Sequence, residues 1–329
     1  MKYFVTGGTG SIGFGLVKKL SELGHEVHVL VRDLNSATFL NFKGVSLHAG
    51  DVTDFESMRK PMQNSDGVYH LAALAKVWDK DPDRFEQVNF IGTQNVLNMA
   101  IESKVSKVVF CSSAGTFGPS INGIVNEETT RSISLFNLYE STKMAAEQLT
   151  IKYSKNGLNA VVVSPTRVFG PVYFRKPDSL FLLIQKFINK GWRIIPGNGK
   201  QIGNYVFIDD VVNGHILAME KGVNGEIYIL GGHNLTYDAF FHELAKAAGI
   251  RRVMIHIPIP IIKLLTYLQM FRTLFGKEPL LTPDWTAKVK LNWEVDVQKA
   301  VSDLDYSITP LSKALKITAE FYKKDWSNS

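Results

Sequence analysis

The chain has 329 residues, 45% of them hydrophobic and 21% charged, with a formal net charge of +6. That length and balance suit an ordinary globular protein of one large or two medium domains, and interspersed charges of both signs argue against nucleic-acid binding. Cys111 stands alone, which excludes an internal disulfide and a cysteine zinc site and fits a reducing compartment such as the cytoplasm.

Residues 2–6 (KYFVT) read as a short strand, 7–13 as a glycine turn, and 14–23 as a helix with Leu16, Val17 and Leu20 apolar, stopped by Gly24. Further strands are predicted at 26–31, 45–49, 67–73, 107–112 and 159–164. Helices are predicted at 55–62, 83–102 and 138–156. Strands apolar on both faces and alternating with helices predict an α/β, Rossmann-type doubly wound parallel sheet. The rhythm breaks after Pro165, and 226–230 reads as a strand returning to the sheet. The expected division is a dinucleotide-binding part over 1–165, with a return segment at about 204–232. A smaller, mostly helical substrate-binding part covers 166–203 and 233–329. No leader segment is expected before the first strand, because the glycine turn begins at Gly7. The apolar stretch 255–275 carries His256, Lys263, Gln269 and Arg272, so it reads as a packed helix rather than a membrane span. Contact with a membrane or an apolar substrate is the alternative there.

Gly7, Gly10 and Gly13 follow a strand and open a helix. The first permits a tight turn, the second lets the backbone approach phosphates, and the third allows helix to pack on strand. Free N–H groups at the helix start then suit a pyrophosphate. Thr9, Ser11 and Ile12 complete the expected cofactor-binding turn. The second strand runs into Arg32-Asp33. A guanidinium there matches the 2′-phosphate of NADP(H), the favoured cofactor, while Asp33 keeps NAD(H) open.

Tyr139 and Lys143, four apart, share a helix face. A tyrosine with an ordinary pKa near 10 becomes a proton-transfer group when a nearby ammonium, together with the positive nicotinamide of the oxidised cofactor, lowers that value. Ser113, after the fifth strand, falls at the carboxyl edge of the sheet, where its hydroxyl can polarise a carbonyl; the bland reading is a turn cap. No G-x-S-x-G elbow surrounds it. The eight histidines show no metal-ligand spacing, and His70, in a buried strand, reads as a core histidine.

With these pieces in place, the chain resembles the extended short-chain dehydrogenase/reductase (NAD-dependent epimerase/dehydratase) family. The likeness rests on TGGTGSIG at 6–13, GDVTD at 50–54, HLAA at 70–73 and VNFIGTQNVL at 88–97. It continues through CSSAGTFG at 111–118, YESTK at 139–143, SPTRVFGP at 164–171 and NYVFIDDVV at 204–212. The resemblance implies Ser113, Tyr139 and Lys143 as catalytic residues. It also implies cofactor contacts from Asp51, Val52, Leu71, Ala72, Ala73, Asn89 and Pro165. Softer motifs, among them LVRD at 30–33 and YILGGHNLTYDAFF at 228–241, are similar to the dihydroflavonol-4-reductase-like, 3β-hydroxysteroid dehydrogenase-like and hopanoid-associated epimerase branch.

Nucleotide-sugar epimerases usually carry an arginine where this chain has Gly203; Arg167, Arg175 or Arg193 could substitute. The expected activity is therefore NADP(H)-dependent reduction of a ketone, or oxidation of a secondary alcohol, on a small-molecule substrate. Segments 179–188 and 259–275 are candidate pocket walls. A nucleotide-sugar epimerase or dehydratase with tightly held NAD is the alternative, and a non-enzymatic NADP sensor a third reading. The resemblance also implies a homodimer through the helices at 83–102 and 138–156.

Overall fold

The computed structural model describes residues 1–76, 78–173, 179–271, 273, 279 and 282–327. In chain order the strands are β1 (Lys2–Thr6), β2 (Glu26–Val31), β3 (Val45–Ala49), β4 (Gly67–His70), β5 (Lys107–Cys111) and β6 (Ala160–Pro165). They continue with β7 (Arg167–Phe169), β8 (Ile194–Pro196), β9 (Ile202–Phe207), β10 (Ile227–Leu230), β11 (His233–Thr236) and β12 (Ile255–Ile257). The helices begin with α1 (Ser11–Glu22), α2 (Arg59–Met62), α3 (Asp83–Phe85), α4 (Gly92–Glu102), α5 (Leu138–Lys155) and α6 (Ser179–Asn189). They end with α7 (Ile208–Lys221), α8 (Tyr237–Ala248), α9 (Ile259–Met270), α10 (Pro283–Lys288), α11 (Gln298–Leu304) and α12 (Leu311–Ser327).

Seven strands form one sheet in the order β3-β2-β1-β4-β5-β6-β10, and every pairing is parallel. The order reverses between β1 and β4, the point at which ligands sit in such sheets. Both faces are covered. Leu16, Val17 and Leu20 of α1 pack with Val211 and Val212 of α7 on one side. Val96 and Leu97 of α4 pack with Met58 and Met62 on the other. Burial of β4 and β6 on both faces explains their unbroken apolar runs. The predicted return strand is β10, which extends the sheet beside β6.

Several expectations shift. The run 67–73 leaves the ladder after His70, because its neighbour β1 ends at Thr6 to enter the glycine turn. Leu71 N–H still donates to Thr6 O at 3.1 Å, and Ala72 N–H donates to Thr6 Oγ1 at 3.2 Å. The helix over 83–102 is continuous but contains a π-helical turn at Glu86–Ile91, a feature common near functional sites. Among the described residues two small sheets lie outside the large one, β11-β9-β7 and β12-β8, whose strands are too short to show a period in sequence. Segment 179–188 contributes Phe181, Ile184, Phe187 and Ile188 to a core shared with α8 and α12.

The apolar stretch beginning at Ile255 is not the packed helix expected. Ile262 and Thr266 are the buried residues of α9, whereas Leu264, Tyr267, Leu268 and Phe271 are 56–65% exposed. Among the described residues no helix is long and apolar enough to cross a membrane. Arg175, Arg272 and residues 274–278 lie outside the described residues.

Candidate active site

The carboxyl ends of the central strands gather most of the expected residues. Gly7 follows β1 at φ +74°, and a Cβ there would stand 2.5 Å from Ala72 N, so strand, turn and the Leu71–Ala73 segment close against each other. A Cβ on Gly13 would stand 2.1 Å from Gly7 O, which forces a glycine where α1 meets the turn. Gly8, missed in the sequence reading, is equally constrained: its Cβ would meet Val29 Cγ1 at 2.5 Å. Gly10 is the N-cap of α1 and offers no side chain to the first turn, and no acidic residue stands there. The N–H groups around Ser11, Ile12 and Gly13 are thus a donor set suited to a phosphate. Thr9 sits exposed in the same turn.

Arg32, past β2, is exposed. Asp33 is turned to its own backbone, its Oδ1 accepting from Asn35 N–H at 2.9 Å. Asp51, past β3, accepts from Thr53 N–H and Oγ1, each at 2.9 Å. Val52 is 4% exposed, and its carbonyl accepts from Asn95 Nδ2 at 3.0 Å. Pro165 ends β6 opposite Leu230.

Ser113 follows β5 and, as expected of the bland reading, caps the 3₁₀ turn Ala114–Thr116, its Oγ accepting from Gly115 N–H at 3.2 Å. The same hydroxyl lies within hydrogen-bonding reach of the Tyr139 phenol. Asn137 caps α5 through Glu140 N–H at 2.9 Å, so the first helical turn presents Tyr139 to Ser113. Lys143, 2% exposed, donates from Nζ to Cys111 O at 2.6 Å and lies 4.1 Å from the Phe110 ring centroid. Burial sets the charges here. It pushes the Tyr139 phenol up to about 12, against a smaller downward pull from Ser113, and brings the Lys143 ammonium down to about 8. Burial is the larger effect on the phenol in the protein's own groups; the lowering expected from Lys143 together with the oxidised nicotinamide belongs to the proposed mechanism.

Two buried polar groups behind this set were missed in the sequence, and a third, Asn89, was expected only as a cofactor contact. Glu140 accepts from Arg131 Nη2 and Phe136 N–H, both at 3.0 Å, and pairs with Lys288. Glu147, one turn beyond Lys143, accepts from Thr116 Oγ1 at 3.3 Å and lies beside Ser112 and Ser164; burial raises its pKa. Its spacing of four from Lys143 was the available signal. Asn89, in the π turn, accepts from Leu74 N–H at 2.7 Å and donates to Thr142 Oγ1 at 3.0 Å, joining the post-β4 segment to α5. His70 is the satisfied core histidine expected, bonded to Thr6 Oγ1 at 2.7 Å and Thr93 Oγ1 at 2.9 Å.

Comparison with known proteins gives the family and the fold. The model of the NAD dependent epimerase/dehydratase family matches residues 3–231. Sterol demethylase protein B of Methylococcus capsulatus is 32% identical over 262 residues, 78% of each chain. The 4-hydroxy-2-methyl-3-oxo-4-farnesyl-3,4-dihydroquinoline-1-oxide ketoreductase of Stigmatella aurantiaca is 30% identical over 264 residues, covering 78% of this chain and 76% of the relative. Among solved structures, the UDP-glucose 4-epimerase of Thermotoga maritima with UDP-glucose superposes with a TM-score of 0.81 at 25% identity, covering 99% of this chain and 100% of that one.

Proposed function

The chain belongs to the NAD-dependent epimerase/dehydratase family and is an enzyme of the extended short-chain dehydrogenase/reductase type, and we propose that it is an NADP(H)-dependent reductase of a ketone. The observation that carries this reading is the convergence of Ser113, Tyr139 and Lys143 at the carboxyl edge of the sheet.

Gly7 to Gly13 and the first N–H groups of α1 hold the pyrophosphate, with Leu71 to Ala73 and Pro165 lining the path of the dinucleotide. Asp51 and Val52 stand at the adenine end. Arg32 takes the 2′-phosphate; its exposure and the engagement of Asp33 with Asn35 favour a phosphate over a ribose diol. The nicotinamide, when bound, supplies the hydride. Ser113 holds the substrate oxygen, and Tyr139 gives its proton to that oxygen. A phenol near 12 is protonated at neutral pH, the form a reduction requires, and an alkoxide is basic enough to take the proton. Lys143, fixed by Cys111, keeps a positive charge beneath the site and can reach the nicotinamide ribose. The name of the Stigmatella relative, a ketoreductase, supports the same direction.

The structural likeness to a UDP-glucose 4-epimerase supports a second reading, a nucleotide-sugar epimerase with tightly held NAD. Thermal denaturation of the cofactor-stripped protein separates the two. The reductase is stabilised more by NADPH than by NADH and not by UDP; the epimerase copurifies with NAD and responds to UDP. A cytoplasmic location and a homodimer through α4 and α5 belong to the proposal, the latter tested by light scattering.

A further inference from the structure

We propose that Arg167 is an anion-binding post in the substrate cleft, so that the molecule acted on carries a carboxylate or phosphate group. The position of substrate rests on the reductase reading; the anion site does not.

Arg167 opens β7, two residues past Pro165 at the end of β6, which places their Cα atoms within about 7 Å. Its guanidinium carbon lies 5.8 Å from the Tyr205 ring centroid and 5.2 Å from that of Tyr237. The groups acting on it are these two phenols; among the described residues no carboxylate pairs with it. The two phenols and their ring faces hold the charge, but neither supplies a formal counter-charge. The guanidinium fork matches a carboxylate or phosphate in two parallel hydrogen bonds.

Two further features point to a ligand. Tyr205 is 1% exposed, and the group that acts on its hydroxyl is the Arg167 guanidinium, itself a donor, so the phenol proton has no acceptor. An anion on Arg167 would accept that proton, removing the cost of an orphaned buried donor. Gly203 makes the room: a Cβ there would stand 2.3 Å from Arg167 Nη1. The post also connects to the reacting end. Gly203 bridges to Trp293, whose ring lies 6.0 Å from that of Phe136. Phe136 N–H in turn bonds Glu140, the neighbour of Tyr139.

The test is thermal denaturation of the NADP⁺-saturated protein at fixed ionic strength, titrated with inorganic phosphate, and with 4-oxopentanoate beside its methyl ester. The anions should stabilise the native chain and the ester should not, and the more potent anion tells phosphate from carboxylate. Arg167→Leu and Gly203→Val should weaken the anion response roughly 10–100-fold. Should either fail to fold, Arg167→Gln and Tyr205→Phe take their place, both weakening the response. Equal anion responses in native and variant proteins, or no anion response in the native chain, would overturn the proposal. An Arg167-dependent anion response without NADPH-dependent turnover of any ketone would sink the reductase reading and leave the subsite standing. Turnover of neutral ketones with no role for Arg167 would do the reverse.

Discussion

Lys143 donates to the main-chain oxygen of Cys111 at 2.6 Å, and this contact ties the helix that carries Tyr139 to the end of β5 that leads to Ser113. The cation is held one helical turn from the phenol by the sheet itself. Its charge is consequently a property of the fold, and the proposed chemistry depends on keeping it.

The proton donor is the first point to test. Tyr139→Phe keeps the ring and removes the hydroxyl, so turnover should fall about 100- to 10,000-fold while NADPH affinity stays nearly unchanged. Steady-state rates and a fluorescence titration with NADPH check both halves. Undiminished turnover would remove Tyr139 from the mechanism.

Lys143 gives a pH signature. Burial brings its pKa from 10.5 to about 8, so the ammonium is lost as pH rises through about 8, and kcat for ketone reduction should decline over that range. Lys143→Arg, which stays charged, should move the alkaline limb upward. Stability should move the other way. Between pH 8 and 10.5 the unfolded chain holds the extra proton, so unfolding free energy rises with pH there. A rate profile and urea melts across the same window separate the two effects.

His70 should govern part of the acid response. Its folded-state pKa is depressed to about 3 by burial, from 6.5. Between those values the unfolded chain binds the proton, so stability is lost as pH falls from 6.5 towards 3, by up to about 1.4 kcal/mol per unit. His215, depressed to about 4, adds in the same direction. Replacing His70 by Gln should flatten the acid limb of a pH–stability curve; an unchanged slope would assign it elsewhere.

Cofactor choice turns on Arg32. Arg32→Ala should weaken NADPH about tenfold or more and leave NADH nearly untouched, since the 2′-phosphate is the group in question. Equal losses for both nucleotides, measured by calorimetry, would take Arg32 out of that role.

Glu140 should behave as a structural keystone. It is 1% exposed between Arg131 and Lys288, so Glu140→Ala strands two cations and should cost about 3–5 kcal/mol. Chemical denaturation reads this directly, and a loss below about 1 kcal/mol would mean that water replaces the carboxylate.

Much of this was legible in the sequence because local rules dominated. The sheet followed from apolar strands alternating with helices, and Gly7 and Gly13 followed from a turn that leaves no room for a Cβ. Tyr139 and Lys143 were visible as a four-residue helical spacing. What escaped was non-local. Asn89 bonds Thr142 across 53 positions, and Lys288 reaches Glu140 from the far end of the chain. No window of sequence holds both partners. The exposed face of α9 escaped for a different reason, since apolar composition alone does not say which side of a helix finds a core.

The most direct measurement is NADPH consumption across a panel of ketones, neutral and acidic, by the native chain and by Tyr139→Phe. Ketone-dependent oxidation of NADPH by the native protein, lost in the variant, is the predicted result. No consumption with any ketone, together with interconversion of a UDP-sugar by protein carrying its own NAD, would contradict it.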